Sequence, residues 1–215
     1  MMNTLKTMSN VRAISDAGEF GFASLVIQAL SRRLENTLAA TQALARLCLK
    51  SADVPHSVVE DFDLRMHALA RAYDLMRKPA PSANLRDLVE QALSPYLLSG
   101  DARVRIEGFA MSLSATERFW FGLVIPELAR ISAVHGALSD DGGFLRVRWR
   151  TVSQPCEALL FTWTECAPYP RAYPTSFGLD LKLVEAAIAQ GLGGSTRTSF
   201  APDGPSIAIE IDRAR

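Results

Sequence analysis

The stretch Leu30-Ser31-Arg32-Arg33-Leu34-Glu35-Asn36-Thr37-Leu38 lies inside a longer segment, about Phe22 to Lys50, in which apolar and small residues recur at alternating steps of three and four. This spacing is typical of an α-helix with one apolar seam of coiled-coil type. The predicted seam consists of Ile27, Leu30, Leu34, Thr37, Thr41, Leu44 and Cys48. Because Arg32 lies midway between Leu30 and Leu34, it is expected to face solvent on the other side of the helix.

A second helix of the same kind is predicted from Ser57 to about Arg77. Pro55 interrupts the first pattern because a proline disfavours the helical conformation of the residue before it, and Ser57 is expected to cap the new helix with Glu60 three residues on. The second seam consists of Val59, Phe62, Met66, Leu69, Tyr73 and Met76. Two such helices with a short connection predict an antiparallel hairpin. The apolar residues left over, Val26, Leu38, Ala45 and Leu49, predict a second copy that completes a homodimeric four-helix bundle.

The rest of the chain alternates helical and strand patterns. After a linker rich in proline and small residues, Lys78 to Asn84, the sequence predicts helices at 85–97, 115–135 and 179–190, and strands at 104–106, 144–151, 158–163, 195–200 and 206–211. Helices interleaved with antiparallel strands indicate an α+β sandwich. The predicted organisation is a flexible tail at 1–17, a helical-hairpin dimerisation domain at 18–79 and a second domain at 83–215.

Composition excludes several classes of function. The 215 residues carry 23 basic and 23 acidic side chains, so no net charge favours nucleic acid or an anionic membrane. Cys48, Cys156 and Cys166 lack the spacing of a zinc site or a disulfide framework. No run approaches the roughly 18 apolar residues of a membrane span. The sequence therefore predicts a cytoplasmic protein without a metal site.

Several stretches, taken together and in order, resemble the sensor histidine kinases of the HWE and HisKA_2 type. Leu30–Leu38 is similar to the family's Asn-His-Arg-x-Lys-Asn-Thr-Leu box, and Arg65–Leu75 to its Arg-x-x-Ala-Leu-Ala-x-Ala-His-Asp-Leu helix. Further matches are Asn84–Val89, Val104–Gly108, Glu127-Leu128, Gly136–Ser139 and Trp163-x-Glu165. The resemblance implies a dimerisation hairpin followed by a histidine-kinase ATPase-like domain.

The residues that carry the family's chemistry differ here. Arg32 stands where the resemblance places the phosphorylated histidine, and a guanidinium has no free lone pair with which to attack phosphorus. Ile131 and Val134 stand where the family has a magnesium-binding asparagine and a lysine. The degenerate nucleotide site implied by the resemblance comprises Glu127, Ile131, Val134, Trp163, Glu165 and Gly178. These changes predict that neither ATP nor magnesium binds.

The leading interpretation is a catalytically inactive, kinase-like two-component protein, a pseudokinase. It is expected to form a homodimer and to bind a response-regulator receiver domain or a related partner through Arg32, Arg33, Glu35 and Asn36. One alternative is a histidine phosphotransferase that uses His67 or His56. A further alternative is a kinase with residual ATP binding.

Overall fold

The structure, a computed structural model, describes residues 29, 32–77, 84–97, 101–152, 157–166, 178–201 and 204–213. The predicted tail, most of the linker, the turn at 153–156 and the segment 167–177 lie outside these residues, as do Val26, Ile27 and Leu30 of the first helix. The chain divides into two compact units, Met1–Met66 and His67–Arg215.

The first unit contains a helical hairpin. Helix α1 covers residues 32–51, and helix α2, His56–Arg77, begins after a turn in which Asp53 has a φ of 50°. Asp63 of α2 accepts a hydrogen bond from Gln42 at 3.3 Å and pairs with Arg46 at 2.7 Å, both on α1. These contacts join residues far apart in sequence and hold the two helices side by side, as the two apolar patterns predict.

The face that α1 turns toward α2 is not the predicted one. The half-buried residues of α1 are Leu38, Gln42, Ala45 and Leu49, whereas Leu34, Thr37, Thr41, Leu44 and Cys48 of the predicted seam are exposed. The two stripes adjoin on the helix and share one period, so spacing alone does not distinguish them. The hydroxyls of Thr37 and Thr41 bond backbone carbonyls one turn back, each at 2.8 Å, and so need no packing partner.

The second unit is an α+β structure. Its helices are the last turns of α2, then α3 (Leu85–Leu93), α4 (Ala115–Val134) and α5 (Gly178–Gly191), with short 3₁₀ turns at Ser94–Tyr96 and Ala137–Ser139. Its strands are β1 (Val104–Glu107), β2 (Phe144–Val152), β3 (Ala158–Cys166), β4 (Ser195–Ala201) and β5 (Gly204–Asp212). Every element predicted for this region is confirmed, with ends that shift by a few residues.

The strands form one mixed sheet in the order β1-β2-β3-β5-β4. β1 runs parallel to β2, and the remaining neighbours are antiparallel. Alternate residues of β2, β3 and β5 belong to the core with α3, α4 and α5. This core contains Leu145, Val147, Trp149, Leu159, Phe161, Trp163, Ile207, Ile209 and Ile211. The helices therefore cover one face of the sheet, and the intervening residues lie on the other.

Helix α4 is the central helix of this layer. Its capping box is formed by Ser114, which accepts from the Glu117 N–H at 3.2 Å, while the Glu117 carboxylate accepts from the Ser114 N–H at 2.8 Å. Phe121, Ile125 and Leu128 are almost fully buried. Within the described residues, no helix combines the length and hydropathy that a bilayer-spanning segment requires.

Candidate functional site

The predicted partner-binding residues lie together on α1. Arg32, Arg33, Glu35 and Asn36 are all exposed in the first turns described for this helix. The solvent-facing position expected for Arg32 is confirmed. The arrangement offers guanidinium donors and an amide on one helical surface, which can form hydrogen bonds but supplies no nucleophile for phosphorus.

The two candidate phospho-acceptor histidines lie on α2, and both are exposed. His56 is in the first turn of the helix, and its Nδ1 lies 3.2 Å from a carboxylate oxygen of Glu60. The side chain of His56 remains 86% exposed, so this contact leaves the imidazole accessible. His67 is in the middle of the same helix.

Helix α4 carries three of the residues assigned to the degenerate nucleotide site. Glu127 is half-buried and pairs with Arg130 at 2.9 Å on the same helix. Ile131 is only 2% exposed and belongs to the hydrophobic core, whereas Val134 near the helix end is 53% exposed. A hard cation requires oxygen ligands, and neither hydrocarbon side chain supplies one.

Trp163 and Glu165 form a buried tether between β3 and the end of α4. Trp163 Nε1 donates to Glu165 Oε1 at 3.0 Å, and the backbone N–H of Ala137 donates to Glu165 Oε2 at 2.7 Å. Gly136 is required beside them, because a Cβ at this position would stand 1.9 Å from Glu165 Oε2. The motif therefore holds the loop after α4 against the sheet.

The Glu165 carboxyl is 3% exposed. Burial raises its pKa because desolvation penalises the charged form, and the N–H donors of Ala137 and Trp163 oppose this shift without cancelling it. A buried carboxyl with a raised pKa occurs at many catalytic sites. Here both of its oxygens already accept hydrogen bonds from the fold, which gives it a structural role in this arrangement.

Gly178 is the first residue of α5, and the segment before it lies outside the described residues. The structure thus brings Trp163 and Glu165 together with the loop that follows α4. Helix α4 itself carries Glu127, Ile131 and Val134.

Two features of the second unit were not predicted from the sequence. One is the contact network of Arg118, and the other is a row of arginines on the open face of the sheet.

Arg118 in the first turns of α4 is 4% exposed and binds the end of α2. Its Nε donates to the Leu75 carbonyl at 3.0 Å, a terminal nitrogen donates to the Met76 carbonyl at 3.4 Å, and another donates to Leu113 at 2.9 Å. A cation at a helix C-terminus satisfies carbonyls that have no partner within the helix. Gly122, one turn on, allows close packing, because a Cβ there would lie 2.9 Å from a Leu75 methyl.

Part of the chain is similar to a known family of proteins. Residues 29–110 match the family model described as HWE histidine kinase. The chain is 28% identical over 188 residues to the blue-light-activated histidine kinase of Brucella anthropi, and 24% identical to that of Brucella ovis. Each match covers 86% of this chain and 38% of the relative, so the chain spans about two fifths of the length of these curated relatives.

Solved structures show the same fold. The histidine kinase domain of the Erythrobacter litoralis blue-light activated histidine kinase aligns with a TM-score of 0.54 at 18% identity, covering 85% of this chain and 93% of that domain. A longer structure of the same kinase aligns with a TM-score of 0.51 at 16% identity, covering 83% of this chain and 63% of that one. The chain therefore shares its fold with solved structures of a histidine kinase.

Proposed function

We propose that this chain is a histidine kinase-like two-component protein that does not phosphorylate itself and acts by binding a partner. Its residues 29–110 match the HWE histidine kinase family model. The partner is a receiver domain or a related two-component protein, and the chain binds it as a homodimer. The curated relatives are named blue-light-activated histidine kinases, so the proposed difference must come from residues of this chain.

Arg32 carries the proposal. It is exposed on α1 at the position where the family resemblance places the phosphorylated histidine. Phosphoryl transfer needs an unprotonated nitrogen lone pair, and the arginine side chain stays protonated and offers donors only. The same guanidinium suits recognition of a carboxylate on a partner, since its planar fork matches the two oxygens. Loss of the acceptor thus accompanies the gain of a docking group.

Helix α4 supports the absence of ATP-dependent chemistry. Ile131 stands where the resemblance places the metal-binding asparagine, and it is packed in the core. Restoring an oxygen ligand there would require a change of residue type, because no rotamer of isoleucine offers one. Val134 likewise removes the cation that the resemblance places near the phosphates.

The hairpin supports a homodimer. Leu34, Leu44 and Leu47 of α1 are 40%, 64% and 66% exposed, and Val58 and Leu64 of α2 are 45% and 58% exposed. Exposed large apolar side chains in this number on one small hairpin are typical of an interaction surface. A second copy that covers them completes a four-helix bundle, in which the exposed stripe of α1 packs against the partner copy.

The docking proposal is tested by calorimetric titration of the dimer with purified receiver domains from the source cell. Arg32→Glu should weaken binding by about tenfold or more, because it reverses a charge-assisted contact. Arg71→Glu, an exposed arginine on α2 that forms no ion pair with a described residue, is the matched control and should bind like the wild type. Binding that survives Arg32→Glu unchanged, or no binding to any receiver domain, would overturn the proposal.

A histidine phosphotransferase is the second candidate, and the geometry of His56 favours it. The imidazole is exposed and is oriented by Glu60 at Nδ1, which leaves Nε2 as the accessible nucleophile. His67 is the alternative acceptor on the same helix. Incubation with a phosphorylated receiver should then give acid-labile labelling that disappears in either His56→Ala or His67→Ala. Absence of labelling in the wild type would exclude this function.

A further inference from the structure

The open face of the sheet, opposite the helices, carries a concentrated positive charge near its β1–β2 edge. Arg146, Arg148 and Arg150 alternate along β2 and are all exposed. Arg105 of β1 lies opposite Arg146 in the strand register, and Glu107 lies opposite Arg148. We call this set of four arginines the basic sheet face. This positive charge is a local feature of the sheet, since the whole chain has equal numbers of basic and acidic side chains.

Glu107 orders part of the basic sheet face. Its carboxylate pairs with Arg148 at 2.8 Å and also with Arg105. One carboxylate shared by two guanidinium groups fixes their positions but neutralises only one charge. Arg146 lies over the Phe144 ring, 5.9 Å from its centroid. These contacts hold three of the arginines, and thereby reduce the side-chain entropy that binding would cost.

Arg150 differs from the other three arginines. It forms neither an ion pair nor a ring contact with any residue that the structure describes, and it lines a concavity of about 430 Å³ together with Glu107, Gly108, Arg148, Trp149, Leu160 and Thr162. The volume is within the range of ligand pockets. Leu160 supplies an apolar surface, Thr162 a hydroxyl, and Arg150 a fork of donors. This combination fits an acidic side chain with a short hydrocarbon stem.

We propose that the basic sheet face docks an extended acidic protein segment whose carboxylates alternate along the chain. Side chains two residues apart in an extended segment are separated by about 7 Å, the same spacing as the arginines of β2. The row from Arg146 to Arg150 spans about 14 Å, which exceeds a small dicarboxylate and matches several peptide residues. The Arg150 concavity receives one acidic side chain, and the other arginines receive its neighbours.

The charge pattern favours this occupant over a nucleic acid. The Glu107 carboxylate lies between Arg105 and Arg148, where it would repel a continuous phosphate backbone. Base stacking needs exposed aromatic rings, but on this face Phe144 is covered by Arg146, and Trp149 is 3% exposed and belongs to the core. An extended protein segment has a carboxylate only at every second residue, so it can follow the arginines of β2 and leave Glu107 on β1 to one side.

The test is a fluorescence anisotropy titration of the full chain with two labelled peptides of equal charge, Glu-Ser-Glu-Ser-Glu-Ser and Glu-Glu-Glu-Ser-Ser-Ser. The alternating peptide should bind more tightly, and Arg150→Glu should weaken its binding by about tenfold or more. Lys182→Glu is the matched control, since Lys182 is an exposed cation on α5, which covers the opposite face of the sheet.

Four outcomes of these titrations would overturn the proposal, and a competition experiment adds a fifth. The four are no saturable binding of the alternating peptide, equal binding of the two peptides, equal weakening by Arg150→Glu and Lys182→Glu, and tighter binding of a short single-stranded DNA of the same length. Free glutarate serves as an additional arm. Displacement of the peptide by glutarate at the peptide's own concentration would identify a small-molecule pocket and would also refute the docking of a segment.

Discussion

Replacement of Glu165 by alanine should destabilise the second unit strongly. The carboxylate accepts from the Trp163 indole N–H at 3.0 Å and from the Ala137 backbone N–H at 2.7 Å, and its residue is 3% exposed. Alanine leaves both donors without an acceptor in a place that water does not readily reach. Each buried unsatisfied donor costs about 1–3 kcal/mol, so the expected loss in the free energy of unfolding is about 2–6 kcal/mol.

Glu165→Gln should fall between the wild type and alanine. The glutamine side chain has one carbonyl oxygen and one amide group, so it can accept from Ala137 or from Trp163 but presents its own donor to the other. It also removes the cost of burying a charge. Urea denaturation followed by tryptophan fluorescence measures all three proteins. An alanine variant that unfolds at the wild-type urea concentration would refute the tether.

The pH dependence gives a second test of the same group. Because burial raises the pKa of Glu165, the native state binds its proton more tightly than the unfolded state does. Stability from this group is therefore complete below the ordinary glutamate pKa and is lost as pH rises through the raised native pKa. Between the ordinary glutamate pKa and the raised native pKa, the free energy of unfolding of the wild type should fall relative to that of Glu165→Gln. At higher pH the difference between the two proteins should stay constant. A difference that does not change with pH would show that the carboxyl titrates normally.

Three other substitutions test the packing of the second unit by urea denaturation. Arg118→Met should cost roughly 2–4 kcal/mol, since it leaves the buried Leu113 carbonyl and the part-buried carbonyls at the end of α2 without this donor, and a loss below about 0.5 kcal/mol would refute the Leu75 contact. Gly108→Val should cost about 1–3 kcal/mol and alter the near-ultraviolet circular dichroism, because a Cβ would stand 2.1 Å from the Trp149 ring. Asn84→Ala should cost about 1 kcal/mol by removing the capping box of α3, and an unchanged midpoint would contradict it.

The elements of the second unit were predictable because each has a local signal. Strands β2, β3 and β5 alternate in hydropathy, and Ser114 with Glu117 marks the start of α4. The hairpin was predictable for the same reason. Its seam was not, because two adjoining stripes of α1 share one period, and only the geometry of the turn and the contacts of Asp63 select between them.

In the candidate site, too, some features follow from a local sequence pattern and others do not. The exposure of Arg32 followed from helical spacing, and the alternation Arg146-x-Arg148-x-Arg150 in a strand pattern already places three cations on one face. By contrast, the role of Arg118 depends on the end of α2, 42 residues away in sequence at Met76, and no local pattern indicates such a contact. The tether of Glu165 to Ala137 is equally non-local.

The most direct test of the account measures transfer of phosphate from γ-labelled ATP with magnesium to the full chain, with a blue-light-activated histidine kinase related to it as the positive control. Labelling that is labile in acid and stable in base reports phosphohistidine. No such labelling is expected on this chain under conditions that label the control, because Arg32 cannot accept phosphate and Ile131 offers no metal ligand. Time-dependent labelling of the chain on its own would contradict it.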